Sequence, residues 1–260
     1  MELSIYQVDA FANAVFQGNP AAVVPLNAWL PDEVLQNIAT ENNLSETAYF
    51  VPEGEGYHLR WFTPAMEVRL CGHATLASAH VLFAHLGYNK ESISFNTLGG
   101  NLLVRKIADQ YVMDFPTDEP QPFHVLRNLE ETLGVQILEM AKGTDDYLAM
   151  IESEEMLMAL RPNFRRLSEL KTRGLIVTAP GTSTDIATRC FFPSFGIDED
   201  PVTGSAHTLL TPFWAKKLGK TSISAIQGGA RKGQLHCELK GDRVELMGKA
   251  QTYLIGKIWV

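Results

Sequence analysis

The chain has 260 residues, 45% of them apolar and 20% charged, a composition of globular proteins rather than disordered or fibrous ones. A formal net charge of −8 and a pI near 5.4 argue against a nucleic-acid partner, which needs basic patches to neutralise phosphate. No stretch approaches the roughly 20 continuous apolar residues of a membrane helix, so no membrane partner is expected.

Residues 1–6 lack the basic segment and long apolar core of a signal peptide. A cytoplasmic location is therefore expected, with Cys71, Cys190 and Cys237 as free thiols. Their spacing shows no paired pattern, so no metal site is expected. Residues 3–11 alternate as a strand, and Gly18-Asn19-Pro20 turns the chain into an apolar strand at 21–24. Pro31-Asp32-Glu33 starts a helix with Val34, Leu35, Ile38 and Ala39 at helical spacing. After Asn42-Asn43, residues 44–51 lead into a buried strand, and 58–62 form another, closed by Thr63-Pro64. Cys71-Gly72-His73-Ala74-Thr75 then opens an apolar run, 76–86, which stops at Gly87. A helix apolar nearly all round is a buried helix. Strands follow at 92–97, 101–106 and 111–115.

Pro116, Pro120 and Pro122 mark a linker, and the order of elements begins again. Residues 147–151 read as a strand, 154–160 as a helix and 174–179 as a strand. Arg189-Cys190-Phe191-Phe192-Pro193 resembles Arg60-Trp61-Phe62-Thr63-Pro64 at an offset of 129. Residues 197–201 read as a loop. Thr203-Gly204-Ser205-Ala206-His207 opens a second apolar run, 208–218, ending at Gly219. Gly72 matches Gly204, and Gly87 matches Gly219, at an offset of 132. Two copies indicate duplicated halves rather than a solenoid, which needs three or more.

The fold class expected is α/β (α+β): two similar domains from an internal duplication, each a strongly curved sheet or barrel around a central apolar helix. The N-terminal domain is expected over 1–117 plus a C-terminal strand at about 249–260, and the C-terminal domain over 118–248. Each helix start leaves backbone N–H groups unpaired, which suits an anion. A small-molecule ligand is expected where the two starts converge.

Few residues carry chemistry. Glu46 sits among Leu44, Ala48, Tyr49 and Phe50. A carboxylate in an apolar cleft titrates nearer neutrality and serves as base and then acid; the plain alternative is a strand-edge Glu in water. His73 opens the buried helix, where the helix dipole disfavours the imidazolium, so a neutral ring is expected; it could steer a ligand carboxylate or share a proton with Glu46, or equally be only a cap. Asp200 precedes Gly204 by four residues, and acidic residues there favour a helix dipole whatever the function. Ser205 offers a hydroxyl to a ligand or to capping. Cys71 stands where a helix start lowers a thiol pKa, but its counterpart is Thr203, so no two-thiol mechanism is available. His207 is expected to pack or hydrogen-bond rather than react. No dinucleotide turn, phosphate loop, nucleophile elbow or His-Glu-x-x-His is present. What remains is proton transfer on a small acid without a cofactor.

These residues resemble the PhzF-like isomerases of phenazine biosynthesis, within the wider diaminopimelate-epimerase-like fold. The motifs are Asp9-Ala10-Phe11 with Phe16-Gln17-Gly18-Asn19-Pro20, Asn43-Leu44-Ser45-Glu46-Thr47-Ala48, and residues 60–64 with Glu67. Cys71-Gly72-His73-Ala74-Thr75 and Glu199-Asp200-Pro201-Val202-Thr203-Gly204-Ser205-Ala206-His207 complete them. The resemblance implies two domains of similar topology, commonly in a homodimer. It implies that Glu46 moves the proton, that His73, Asp200 and Ser205 line the site, and that Gly72 and Gly204 stand at the helix starts where N–H groups hold substrate. Arg231-Lys232-Gly233-Gln234-Leu235 departs from the family's usual Gly-Arg-Pro-Ser-like segment. The function expected is an isomerase moving a proton within a small carboxylate-bearing substrate, Glu46, His73 and Asp200 being catalytic and Gly72, Gly204 and Ser205 binding substrate. The alternatives are a small-acid binding protein or retired enzyme of the same fold, and a two-base racemase using Cys71.

Overall fold

The computed structural model describes residues 1–260. Contacts within the chain divide it into two units, Met1–Asp114 with Met247–Val260, and Phe115–Leu246. The sequence-based breaks at 117 and 248 fall within a few residues of these bounds. The elements of the first stretch are β1 (Glu2–Ala10), β2 (Asn19–Pro25), α1 (Asp32–Asn42), β3 (Glu46–Glu53), β4 (Gly56–Phe62), β5 (Glu67–Val68), α2 (Gly72–His85), β6 (Ser92–Thr97), β7 (Gly100–Ile107) and β8 (Gln110–Pro116). The second runs through β9 (Gln121–Phe123), α3 (Leu129–Leu133), β10 (Glu139–Lys142), β11 (Asp146–Met150), α4 (Glu154–Ala159), α5 (Phe164–Leu167), β12 (Gly174–Pro180) and β13 (Ile186–Phe192). It continues with β14 (Ile197–Asp200), α6 (Gly204–Leu218), β15 (Ser222–Gln227), β16 (Gly233–Lys240) and β17 (Arg243–Gly248), and β18 (Ala250–Trp259) ends the chain.

Strand pairing carries the duplication further than the sequence motifs do. In the first unit β1–β2 is antiparallel, β2–β3 parallel, β3–β4 antiparallel, β4–β6 parallel and β6–β7 antiparallel. In the second, β10–β11, β11–β12, β12–β13, β13–β15 and β15–β16 run through the same alternation. Each parallel step requires a crossover. In the first unit α1 and α2 supply them; in the second, α4 with α5, and then α6. β18 pairs antiparallel with β1 and so belongs to the first unit.

Helix α2 is buried along its length from His73 to Ala79 and again at Val81 and Leu82, and packs on β1, β2, β3 and β18. A polar group survives at such depth only when it finds a partner. Thr75 and Ser78 do so by donating to the carbonyls of Cys71 and Ala74, one turn back. Helix α6 contains Pro212 in its interior. Proline lacks the N–H that would bond four residues back, and the carbonyl so released, that of Thr208, accepts from Asp118 N at 3.2 Å. The turn into β2 depends on Gly18, whose φ is +66° and whose hypothetical Cβ would lie 2.0 Å from the Ala10 carbonyl oxygen.

One expectation needs correction. Residues 197–201 read as a loop, yet β14 pairs with β13 through Cys190 opposite Asp200 and Phe192 opposite Ile197. The cause is a side chain on β13 itself. Arg189 grips Glu199 with two parallel bonds, Nε to Oε1 at 2.8 Å and Nη2 to Oε2 at 2.7 Å. The first unit repeats the device: Arg60 holds Glu67 at 2.7 and 2.8 Å, and β5 pairs with β4. Each guanidinium also lies over an aromatic ring, Phe62 for Arg60 and Phe191 for Arg189. Planar two-point pairing of this kind is specific to arginine. In both units it tethers the chain just upstream of a buried helix start.

Candidate functional site

The first unit brings Glu46, His73 and Gly72 together. Glu46 begins β3 beside the β2 strand, opposite Ala21, and Gly72 opens α2 after Cys71, whose extended backbone forms the cap. His73 Nε2 stands 3.1 Å from Glu46 Oε2. Both atoms are sealed from solvent, and neither has a well-aligned hydrogen bond, so the contact is an ion pair across a short gap. The other ring nitrogen, Nδ1, is 3.3 Å from Asn19 Nδ2 and 3.5 Å from Cys71 Sγ. Asn19 is fully buried and its Oδ1 accepts from the Ser45 hydroxyl at 3.3 Å. The imidazole is thus held on both edges, one against a carboxylate and the other against an amide and a thiol.

Burial pushes the His73 imidazolium down, but Cys71 and Glu46 outweigh it and hold the ring well above its ordinary value. The neutral ring expected from the helix dipole is therefore corrected. A helix end carries about half a charge spread over several N–H groups, whereas a full carboxylate stands at hydrogen-bonding distance. The low thiol pKa expected for Cys71 is corrected too. Burial, and then Glu46, push it up to about 11. Burial likewise raises Cys190 well above the ordinary thiol range and Cys237 to about 12. All three thiols are buried and free.

A measurable consequence follows from the thiolate being the reactive form. Native protein should resist iodoacetamide at neutral pH, with Cys71 reacting faster only as the pH climbs toward about 11; unfolded chain should alkylate normally. Modification of native Cys71 at the rate of a free thiol near pH 7 would contradict this environment. Slow alkylation also removes the support for Cys71 as one of two racemase bases.

Carboxylate, thiol and imidazole together form a donor set that a divalent ion could use, their ligand atoms lying within 4.8 Å of one another. The fit is poor, because His73 turns Nδ1 toward Cys71 and Nε2 toward Glu46. No single ring nitrogen faces both partners.

The second unit carries Asp200, Gly204 and Ser205. Asp200 closes β14 and is buried; it accepts from the Thr203 hydroxyl. Gln227 completes this corner, its Nε2 donating to Asp200 O at 3.0 Å and to Thr203 Oγ1 at 3.1 Å, while its Oε1 accepts from Thr203 N at 2.9 Å. Gly204 starts α6, and Ser205 sits in its first turn. His207 is buried, with Nδ1 3.0 Å from the Thr203 carbonyl. Burial pushes its pKa down to about 4, so it is a neutral packing residue near pH 7. Sequence reasoning missed Asn19 as a partner of His73 and Ser45 as the partner of Asn19, and it missed Gln227, Arg173 and Asp146. Asn19 lay in plain view within the Gly-Asn-Pro turn, but only its depth marks it as more than a turn residue.

An open depression of about 460 Å³ in the first unit is lined by Glu53, Glu55, Tyr57, Tyr88 and Lys90 among others. It includes neither Glu46 nor His73, and its ion pair, Lys90 with Glu55, is solvent-exposed.

Comparison with known proteins gives the family. The family described as phenazine biosynthesis-like protein matches residues 8–256. Two proteins of Pseudomonas aeruginosa, each named an uncharacterized isomerase, are 54% and 48% identical over 258 residues, covering 99% of both chains in each case. The crystal structure of a PhzF-family phenazine biosynthesis protein of Enterococcus faecalis superimposes with a TM-score of 0.97 at 46% identity, over 100% of both chains. With Glu46 and His73 paired at the start of a buried helix, and this likeness running over nearly its whole length, the chain belongs to the phenazine biosynthesis-like (PhzF) family.

Proposed function

We propose that the protein is an isomerase that moves a proton within a small carboxylate-bearing substrate without a cofactor, Glu46 abstracting the proton and returning it. The observation that carries this reading is the buried pair of Glu46 Oε2 and His73 Nε2 at 3.1 Å. A carboxylate kept from water beside one cationic partner is positioned to be a base rather than a surface charge. His73 holds one carboxylate oxygen and balances its charge, which leaves the other oxygen to meet the substrate. In the first unit the N–H groups opening α2 suit the substrate's carboxylate and the negative charge that develops on it. In the second unit, taken by itself, Ser205 and the N–H groups opening α6 suit an acid group, and Asp200, fixed by Thr203, suits an amine or hydroxyl. The relatives that carry the name isomerase support the reaction class.

The test is hydrogen exchange. Amino- and hydroxy-substituted carbon acids incubated with the protein in heavy water should gain deuterium at the carbon next to the activated group, detected by mass spectrometry. Binding of such acids with no label in any of them would favour a non-catalytic small-acid binding protein.

A further inference from the structure

Register alignment shows what stands in the second unit where the first has its base. Arg60 lies opposite Tyr49 and Arg189 opposite Val177. With the two arginines equivalent, Glu46 corresponds to Gly174, Ser45 to Arg173, and His73 to Ser205. The second unit thus carries no acid at that place; it carries a guanidinium one residue earlier.

Arg173 is held on three sides. Nε donates to Asp146 Oδ1 at 2.9 Å, and Nη2 pairs with Asp146 Oδ2. Nη2 also donates to Ser205 Oγ at 3.2 Å, and the guanidinium lies over the Phe192 ring at 5.5 Å. Asp146 is buried, whereas the Arg173 side chain keeps 34% of its surface exposed, and Nη1 takes part in none of these bonds. A guanidinium can only donate, so it occupies a lone pair of the Ser205 hydroxyl. The single hydroxyl hydrogen must then point elsewhere, toward an acceptor.

We propose that Arg173 is a specificity-determining residue: it sets the Ser205 hydroxyl as a donor and, with its own exposed edge, selects a carboxylate over an uncharged amide. This rests on the isomerase reading only in that Ser205 meets the substrate's acid group. The chemistry is two adjoining donors, the Ser205 hydroxyl and the guanidinium that bonds it. The oxygens of a carboxylate accept from both, whereas an amide brings an NH2 that meets a donor with a donor.

Calorimetric titration of the purified full-length protein with anthranilate and with anthranilamide tests this. Because Arg173→Met alone would strand the buried Asp146 carboxylate, the variant of choice is the double substitution D146N/R173M, which leaves no charge unpaired. Wild type should bind the acid at least roughly tenfold more tightly than the amide, within the range that such polar mismatches reach. The double variant should lose that preference through weaker acid binding, with amide affinity unchanged. E46Q should retain the preference. A wild type that does not prefer the acid, or a double variant that keeps the preference, overturns the assignment. An Arg173-dependent acid preference in a protein that labels no carbon acid would instead overturn the isomerase reading and leave this one standing.

Discussion

Glu46→Gln is expected to reduce turnover by about 10²- to 10⁴-fold, the usual contribution of a positioned acid–base group, while leaving substrate affinity nearly intact. The side chain begins β3 and is only 13% exposed, with Oε2 against His73. Glutamine keeps the length and still offers an oxygen to the imidazole, so the fold and the His73 contact should persist. What it loses is any basicity, and with it the ability to take a proton from carbon. The readout is the rate of deuterium incorporation set against the binding constant for the same acid. A variant that exchanges at the wild-type rate would remove Glu46 from the mechanism. A variant that neither binds nor folds would show instead that the buried pair is structural, and near-wild-type thermal unfolding excludes that outcome.

Breaking the clamp in the second unit should have the largest effect on stability. Arg189→Met is expected to destabilise the protein by about 3–5 kcal/mol, the cost of removing one partner of a buried ion pair. Only 7% of the Arg189 side chain and 22% of the Glu199 side chain are exposed. Arg189 Nη1 also donates to the carbonyls of Leu157 and Leu160 at 3.1 and 3.0 Å, and both would lose that bond where α4 ends. The equivalent change at Arg60 should cost less, because its second partner, Asp32, keeps 76% of its side chain exposed. Chemical denaturation of the two variants in parallel gives the comparison. Equal losses, or a loss below about 1 kcal/mol for Arg189→Met, would mean that the second clamp is no more than a solvated surface pair. R189M/E199Q should recover part of the loss, since no charge is then left behind.

The division between local and long-range information runs through individual residues. Helices α2 and α6 were legible because their signal is local: an apolar run, a glycine at the start and a glycine at or just after the end. The duplication was legible because two copies of one pattern recur at nearly constant offset. The strand β14 was missed, since four residues of mostly acidic composition carry no strand pattern, and what pairs them with β13 is the grip of Arg189 on Glu199. Glu46 could be singled out from its apolar neighbours and from the family resemblance, and His73 could be named as a group able to share its proton, but not the contact between them. Between Glu46 and His73 lie the rest of β3, then β4 and β5, and only their packing brings Nε2 to 3.1 Å from Oε2.

The two charge expectations that needed correction make the same point. Sequence position alone placed Cys71 and His73 at a helix start, and the dipole there lowers a thiol and disfavours an imidazolium. Folding adds burial, which raises the thiol, and brings Cys71 and Glu46 against the ring, which together raise the imidazole despite its burial. Arg173 is the clearest case, for neither its neighbours in the chain nor its spacing marks it out. By itself the sequence determined the two buried helices, most strands of the first unit, the repetition and the family, because periodicity, turn chemistry and motif order are properties of adjacent residues. Tertiary structure decided which charges meet and which are sealed from water, because electrostatic energy depends on distance through space and on the solvent excluded between the groups.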